Sequence, residues 1–501
     1  MFIFAKKYFL QWVMGQGYDI VKYILLAGLM YMPIFGHLDT LPIRIWDEAR
    51  LAINAYEMSE NGNLIVTHFE GKPDMWNTKP PLMIWLQTFF IKMLGANELA
   101  VRLPSAIAAF LTCLALLVFS MKYLQNFWFG FIVVLILITS HGYINIHATR
   151  TGDYDALLTL FTTLEGLFFF SYIETRKVKF LYLFFISMAL AVLTKSVTGL
   201  MFLPAFLIYA IIRKQFLPVL KNKHFYIALL TFVIPVFGYY ALREYYNPGY
   251  IAAVMENELG GRYFKVIENH HQGFWYYYNN FIDFQFTAWY LFVPAGLVVG
   301  MLVKNQKMNR LTAFSFWMII TFFLVISTAK TKLEWYDVPL YPYLSILVAL
   351  FIHYIFDTVN NYPWFKKTLN YNIMPYIFLF LITIQPYRKI IDKTYLPKEY
   401  PWDKEFYEIS YFLKDAVKGK YHLHQHYLVY DGYYAHLLFY LNVLNDKGIE
   451  ISLKDKENLQ SGDLVIVSQN HIKQYIEEHY KFDIKDTIGT VSIYKIYERK
   501  E

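Results

Sequence analysis

Cysteine is nearly missing from this chain. The single thiol, Cys113, sits inside an apolar run, which excludes an intrachain disulfide and any cysteine-based metal site. Charge is scarce as well. Asp, Glu, Lys and Arg make up 17% of the 501 residues, against 56% hydrophobic and 20% aromatic, a balance too apolar for an ordinary soluble fold. Solenoid-type repeats and low-complexity segments are also absent. The net charge of +7 is spread in short clusters between apolar runs. That pattern speaks against nucleic acid and for signals of membrane topology.

What is present is a series of long apolar runs. Lys6 and Lys7 precede one from about Tyr23 to Phe35 with no convincing small-residue cleavage site, the pattern of an uncleaved signal anchor. A spanning helix takes about 20 mostly apolar residues, fewer if buried among neighbours. Candidates lie near residues 20–37, 99–120, 127–146, 155–173, 179–194, 197–212, 224–241, 282–303, 312–329, 338–357 and 371–386. Alternation through these places Arg176/Lys177/Lys179, Arg213/Lys214/Lys221/Lys223, Lys304/Lys307/Arg310 and Lys366/Lys367 on the side of Lys6 and Lys7. By the positive-inside rule that side is cytoplasmic.

The apolar run 80–95 reaches only about 24 Å as a helix, short of a core of about 30 Å. A crossing there would move every later basic cluster outside, so it is expected to lie in the interface with Trp85 among its anchors. The fold class expected is mainly α, a polytopic membrane protein of about 11 transmembrane helices plus interfacial ones. The membrane domain takes residues 1–386, with long outer loops at 38–98 and 242–281. Residues 387–501 turn charged and mixed and are expected to form a small extracytoplasmic α/β domain. Its strands are Leu428–Tyr430, Leu464–Val467 and Val491–Tyr494, with a helix at 472–480.

Chemistry-bearing residues collect in the outer loops. In the first, Asp47-Glu48-Ala49-Arg50 opens a helix to about Glu60 on which Asp47, Arg50, Asn54 and Glu57 share a face. A capped, solvent-facing surface helix would show the same acidic start. Lys79-Pro80-Pro81 then launches the interfacial helix. A lysine at a helix N-terminus is unfavourable unless an anion sits there, and a bound phosphate would resolve the conflict. Snorkelling to lipid headgroups is the bland alternative. The second loop, His147 to Asp155, carries Arg150, Asp153 and Asp155 straight into an apolar span, a depth at which charge is functional or paired. Asp153 and Asp155 could chelate a divalent ion, although helix capping by Asp155 explains half of that signal. Lys195 stands between two apolar runs. Arg243, Arg262, His270 and His271 lie in the third loop, and Lys330, Lys332, Trp335 and Tyr336 in the last short one. Carboxylates and several cations facing one aqueous boundary suit a phosphate-bearing lipid substrate.

Taken in order, these residues resemble the membrane glycosyltransferases of the C-type fold, the group of the 4-amino-4-deoxyarabinose lipid A transferases and protein mannosyltransferases. The resemblance runs through Asp47-Glu48-Ala49-Arg50, Gly71-Lys72-Pro73, Lys79-Pro80-Pro81-Leu82 and Asn97-Glu98-Leu99-Ala100-Val101-Arg102-Leu103-Pro104-Ser105. It continues in Asp155-Ala156-Leu157-Leu158-Thr159, Leu193-Thr194-Lys195, Lys332-Leu333, Tyr336 and Pro339-Leu340-Tyr341-Pro342. It implies inverting transfer from an undecaprenyl-phosphate-linked sugar with Asp47 at the catalytic centre. Arg50, Lys79, Lys195 and Arg262 would hold the donor phosphate, and Tyr336 would be an aromatic of the donor pocket. The second acid falls on Asp155 or Asp153, with Asp155 favoured. Thr78 stands before Lys79 where relatives often have Glu, so a metal site or acceptor contact built on that glutamate lacks its residue.

The expectation is therefore a polyprenyl-phosphate-sugar-dependent glycosyltransferase of a bacterial cytoplasmic membrane, N-terminus inside and C-terminal domain outside. Its partners are the lipid-linked donor, a lipid, glycan or protein acceptor and membrane lipid, with no nucleic acid. Glu48, Arg150, Lys332 and His270 are further candidates for the donor or acceptor pocket. No cofactor is required, because preplaced cations can bind the leaving phosphate, and a divalent metal stays an open alternative. A transporter or flippase of a lipid-linked sugar is the competing reading, although no matching halves are evident.

Overall fold

The computed structural model describes residues 20–261, 271–362 and 372–500. Arg262, His270, Lys366, Lys367 and the Lys6/Lys7 start of the expected anchor lie outside the described residues. The chain is mainly helical. Glu98–Leu124, Asp155–Thr175, Val178–Leu200, Lys223–Tyr246, Gln306–Thr328 and Glu334–Asn361 are long and apolar enough to cross a membrane. Ile20–Phe35, Phe127–Ile138, Leu203–Ile212 and Phe292–Leu302 are shorter apolar helices. This is a polytopic membrane fold with a small C-terminal sheet domain.

The expected boundaries moved where the backbone demanded it. Ser196 at φ 51° ends the Val178–Lys195 helix, and the run expected as one helix over 197–212 divides into a short 3-10 turn over Ser196–Leu200 and the Leu203–Ile212 helix. A left-handed serine cannot continue the preceding α-helix. Likewise the Met374–Thr394 helix runs past position 387, so the chain changes character only after Thr394.

The first long loop folds on itself. Asp47–Asn61 is a helix ended by Gly62 at φ 69°, the left-handed stop that glycine supplies without strain. A two-stranded ribbon, His68–Phe69 with Lys72–Pro73, turns through Glu70 and Gly71, both at positive φ. Leu82–Leu94, 13 residues long, begins just after Pro80 and Pro81. It packs on the Asp47–Asn61 helix and on Glu98–Phe119, a short apolar helix where one was expected.

The C-terminal domain carries a five-stranded sheet in the order Ile451–Leu453, His426–Leu428, Leu464–Val467, Val491–Arg499, Tyr480–Ile488. The first three strands are parallel and the last two pairings antiparallel. The helix expected at 472–480 is Asn470–His479. The domain is not a loosely tethered module. Its buried Ile409, Phe412, Leu437 and Leu441 belong to one apolar core with Ala49, Ile53, Met83 and Ile84 of the first loop. Polar ties complete the joint: Tyr56 donates to Asp446 at 2.6 Å, Tyr440 to Glu98 at 2.7 Å, and Arg44 makes two bonds to Glu399.

Candidate active site

Asp47 is the first residue of its helix, following Trp46 held at φ 72° and stacked on Tyr433 of the C-terminal domain. Its side chain lines a cavity of about 320 Å³ shared with Lys79, Lys195, Thr198, Glu258, Trp335 and Tyr336. Asp47, Lys79, Lys195 and Tyr336 were each singled out in the sequence. The fold brings all four to one wall from four separate segments.

The cations there are already balanced. Lys195 closes the Val178–Lys195 helix and Asp155 opens the Asp155–Thr175 helix, each charge at the end its helix dipole favours. Lys195 Nζ donates to Asp155 Oδ1 at 2.6 Å and lies 5.3 Å from the centre of the Tyr336 ring. Lys79 Nζ sits 3.4 Å from Glu258 Oε1 and 5.5 Å from the centre of the Tyr154 ring. The Thr78 hydroxyl donates to the same Glu258 oxygen at 3.4 Å. The anion that Lys79 requires at a helix mouth thus includes a carboxylate of this chain. Glu258 went unnoticed in the sequence because nothing local ties it to a lysine so far upstream.

Asp153 lies beside the same wall. His147 Nδ1 is 3.4 Å from Asp153 Oδ2, off the geometry of a hydrogen bond. Thr151 donates its hydroxyl to Asp153 Oδ2 and accepts the His147 backbone N–H at 2.7 Å. His147, at φ 65°, stacks face to face on Trp335 with ring centres 3.5 Å apart. Burial alone would lower the imidazole pKa, but Asp153, Asp47 and Asp155 outweigh it and push it up to about 9. One ligand atom each from Asp47, His147 and Asp153 fall within 4.8 Å of one another.

Other candidates serve the walls. Arg50 lies off the cavity, its guanidinium bonded to both Asp74 oxygens at 2.8 and 2.7 Å and its plane 3.7 Å from the Phe69 ring centre. Asn54 donates to the same carboxylate at 3.0 Å. The helix face expected to meet solvent is therefore clamped to the 63–79 loop by Asp74, whose role only the fold reveals. Burial would raise the Asp74 pKa, but Arg50 and the Asn54 and Asn77 N–H groups hold it below the usual carboxylate range. Glu48 is wholly engaged. It accepts Arg102 through two bonds at 2.7 and 2.9 Å, the Arg44 N–H at 2.7 Å and the Gly152 N–H at 2.8 Å. These bonds pin the Asp47 helix to the Asp153 loop. Arg243 spends its guanidinium on the carbonyls of Ile65 and Asp74, both at 3.1 Å. Lys332 donates to the carbonyls of Gln272 and Ala329, and burial pushes its pKa down.

Arg150 faces a second cavity, of about 570 Å³, with Arg44, Arg102, His141, Lys393 and Lys398. It donates to the carbonyls of Pro33 and His37, and burial with the nearby Arg102 pushes its pKa down to about 10.

Comparisons with known proteins agree with this architecture. Residues 78–240 match the family described as dolichyl-phosphate-mannose-protein mannosyltransferase. Two uncharacterized proteins of Aquifex aeolicus (strain VF5) are similar in sequence. One is 24% identical over 66% of this chain and the other 26% over 64%. The matches span 64% and 70% of those relatives' lengths. Among solved structures, ArnT from Cupriavidus metallidurans bound to undecaprenyl phosphate superposes with a TM-score of 0.68 at 13% identity, covering 95% of this chain and 98% of that one. The apo form of the same protein gives 0.66 at 14% identity, covering 96% and 98%. At such identity the likeness is one of fold: the chain has the C-type fold of the membrane glycosyltransferases.

Proposed function

We propose that the chain is an inverting membrane glycosyltransferase that moves a sugar from a polyprenyl-phosphate-linked donor to an acceptor at the outer face of a bacterial cytoplasmic membrane. The N-terminus and the basic inter-helix loops are cytoplasmic in this reading, and the C-terminal domain is outside. The observation that carries it is the meeting of Asp47, Lys79, Lys195 and Tyr336 on one cavity. The likeness to a structure holding undecaprenyl phosphate supports the same reading.

The chemistry asks for this set. Breaking a sugar–phosphate bond takes the carrier phosphate from about −1 to about −2. Lys79 and Lys195 bind that leaving group more strongly in the transition state than in the ground state, which is where binding accelerates reaction. Glu258 and Asp155 hold the two ammonium groups in place while no phosphate is present. Tyr336 offers its ring beside Lys195 as a face for the sugar. With a hydroxyl acceptor, Asp47 takes the acceptor proton on the opposite face of the sugar. With a phosphate acceptor, already anionic, Asp47 orients it instead.

The test is mass spectrometry of lipids and surface glycans from cells with and without the gene. A glycan species should vanish on deletion, return with the wild-type gene, and stay absent with Asp47→Asn. General-base removal lowers rates by about 10²- to 10⁴-fold, while the variant should still fold and bind polyprenyl phosphate. Full restoration by Asp47→Asn would remove Asp47 from the mechanism.

A further inference from the structure

The Asp47, His147 and Asp153 cluster has a use that the transfer chemistry above leaves open. We propose that these three side chains form a site for one divalent transition-metal ion at the wall of the catalytic cavity.

Distance comes first. One donor atom from each residue lies within 4.8 Å of the other two. Bonds of about 2.0–2.3 Å to one divalent ion put three donors about 3–4 Å apart, with at most one pair on opposite sides at about 4.6 Å. Side-chain rotations that move the donors by about 1 Å therefore close the site.

The second observation is independent of the spacing. Asp153 is 2% exposed, and its Oδ1 has no hydrogen-bond partner. His147 Nδ1 is likewise buried; it faces Asp153 Oδ2 at 3.4 Å without a well-formed hydrogen bond. Buried polar atoms are nearly always satisfied, and a bound ion is one of the recognised reasons for an exception. Here two such atoms belong to neighbouring side chains of the cluster.

The surroundings hold the donors as ligands are usually held. Trp335 fixes the plane of the His147 ring, and the Thr151 hydroxyl anchors Asp153 Oδ2. Ser105 Oγ donates to the Asp153 carbonyl at 3.0 Å. Partners of this kind orient ligands and raise metal affinity. The two ammonium groups on the cavity, Lys195 and Lys79, are paired with Asp155 and Glu258, which offsets their repulsion of a cation. Glu48, the adjacent carboxylate, is consumed by Arg102 and supplies no ligand.

The donor set selects the ion. One imidazole nitrogen with two carboxylate oxygens suits Mn²⁺ or Zn²⁺ better than the all-oxygen preference of Mg²⁺ or Ca²⁺. Two carboxylates balance the ion's charge, and the His147 ring gives up its Nδ1 proton when the ion binds. Because Asp47 lines the cavity, the ion's remaining coordination positions serve an anionic oxygen entering beside Lys79 and Lys195. Binding stands on the geometry alone; a role in transfer rests on the proposed function.

The full-length protein in detergent, stripped with EDTA, is titrated with Mn²⁺ and the free ion followed by electron paramagnetic resonance. One Mn²⁺ per chain is expected, with affinity lowered at least tenfold in His147→Ala and in Asp153→Asn and unchanged in the surface control Arg388→Ala. Should either variant fail to fold, pulsed resonance on the wild-type protein reads the same question, since a bound imidazole gives ¹⁴N modulation of the Mn²⁺ echo. No stoichiometric ion, binding indifferent to both substitutions, or no ¹⁴N modulation overturns the site. The two readings fail separately. A protein that binds Mn²⁺ but whose deletion changes no glycan keeps the metal site and loses the transferase, and the converse loses only the metal.

Discussion

Lys195 Nζ lies 2.6 Å from Asp155 Oδ1 with both side chains buried, 8% and 3% exposed, although forty positions separate them. Two consecutive helices are joined at one end by this pair, next to the cavity that Asp47 lines. Removing one partner of a buried pair leaves an uncompensated charge and costs about 3–5 kcal/mol. Asp155→Asn and Lys195→Met should each lower the melting temperature of the detergent-solubilised protein. The double substitution should recover much of that loss without recovering transfer. A double variant destabilised by the sum of the two single losses would show that the pair is not coupled.

Lys79 and Glu258 make a prediction of opposite signs. If the Lys79 ammonium holds the donor phosphate, Lys79→Ala should raise the donor KM by about tenfold or more, the loss of a charge-assisted bond worth about 1.5–3 kcal/mol. Glu258→Gln removes the carboxylate that competes for Lys79 and should lower the donor KM. Steady-state kinetics with a polyprenyl-phosphate sugar settle it. An unchanged KM and kcat in Lys79→Ala would count against the phosphate assignment.

Gly152 is held where no side chain fits. A Cβ there would meet Val101 Cγ1 at 2.5 Å and the Val101 carbonyl oxygen at 2.7 Å, and the backbone is clamped by Glu48 at its N–H and Gln87 at its carbonyl. Gly152→Ala should therefore cost about 1–3 kcal/mol and shift Asp153. Lower melting temperature together with weakened Mn²⁺ binding is the expected pair of results, while a wild-type melting temperature would refute the packing argument.

Membrane orientation is open to direct measurement. A reporter fused at Lys177 should behave as cytoplasmic and one at Glu501 as external, following the distribution of Lys and Arg. Opposite behaviour of both fusions would invert the topology and place the Asp47 cavity on the wrong side for the proposed donor.

Read alone, the sequence settled what depends on local composition. Apolar runs longer than a bilayer core require helices, so the polytopic fold was legible from hydropathy, and the Asn470–His479 helix and the Leu464–Val467 strand from periodicity. Pro80 and Pro81 announced the start of the Leu82–Leu94 helix because proline's missing N–H costs nothing at a helix N-terminus. Asp47, Lys79, Lys195 and Tyr336 could be named as polar residues at the ends of apolar elements, where charge has to be paired or put to use.

Which of those charges share a cavity was decided by tertiary structure. Arg50 and Asp47 stand three residues apart on one helix face, yet Asp74 draws Arg50 away to the loop while Asp47 keeps the cavity. Glu258 reaches Lys79, and Trp335 reaches His147, across separations that no local pattern encodes. An ionic or stacking contact depends on where two chain segments meet in space, and that is set by the packing of the whole helical bundle and not by the residues beside either partner.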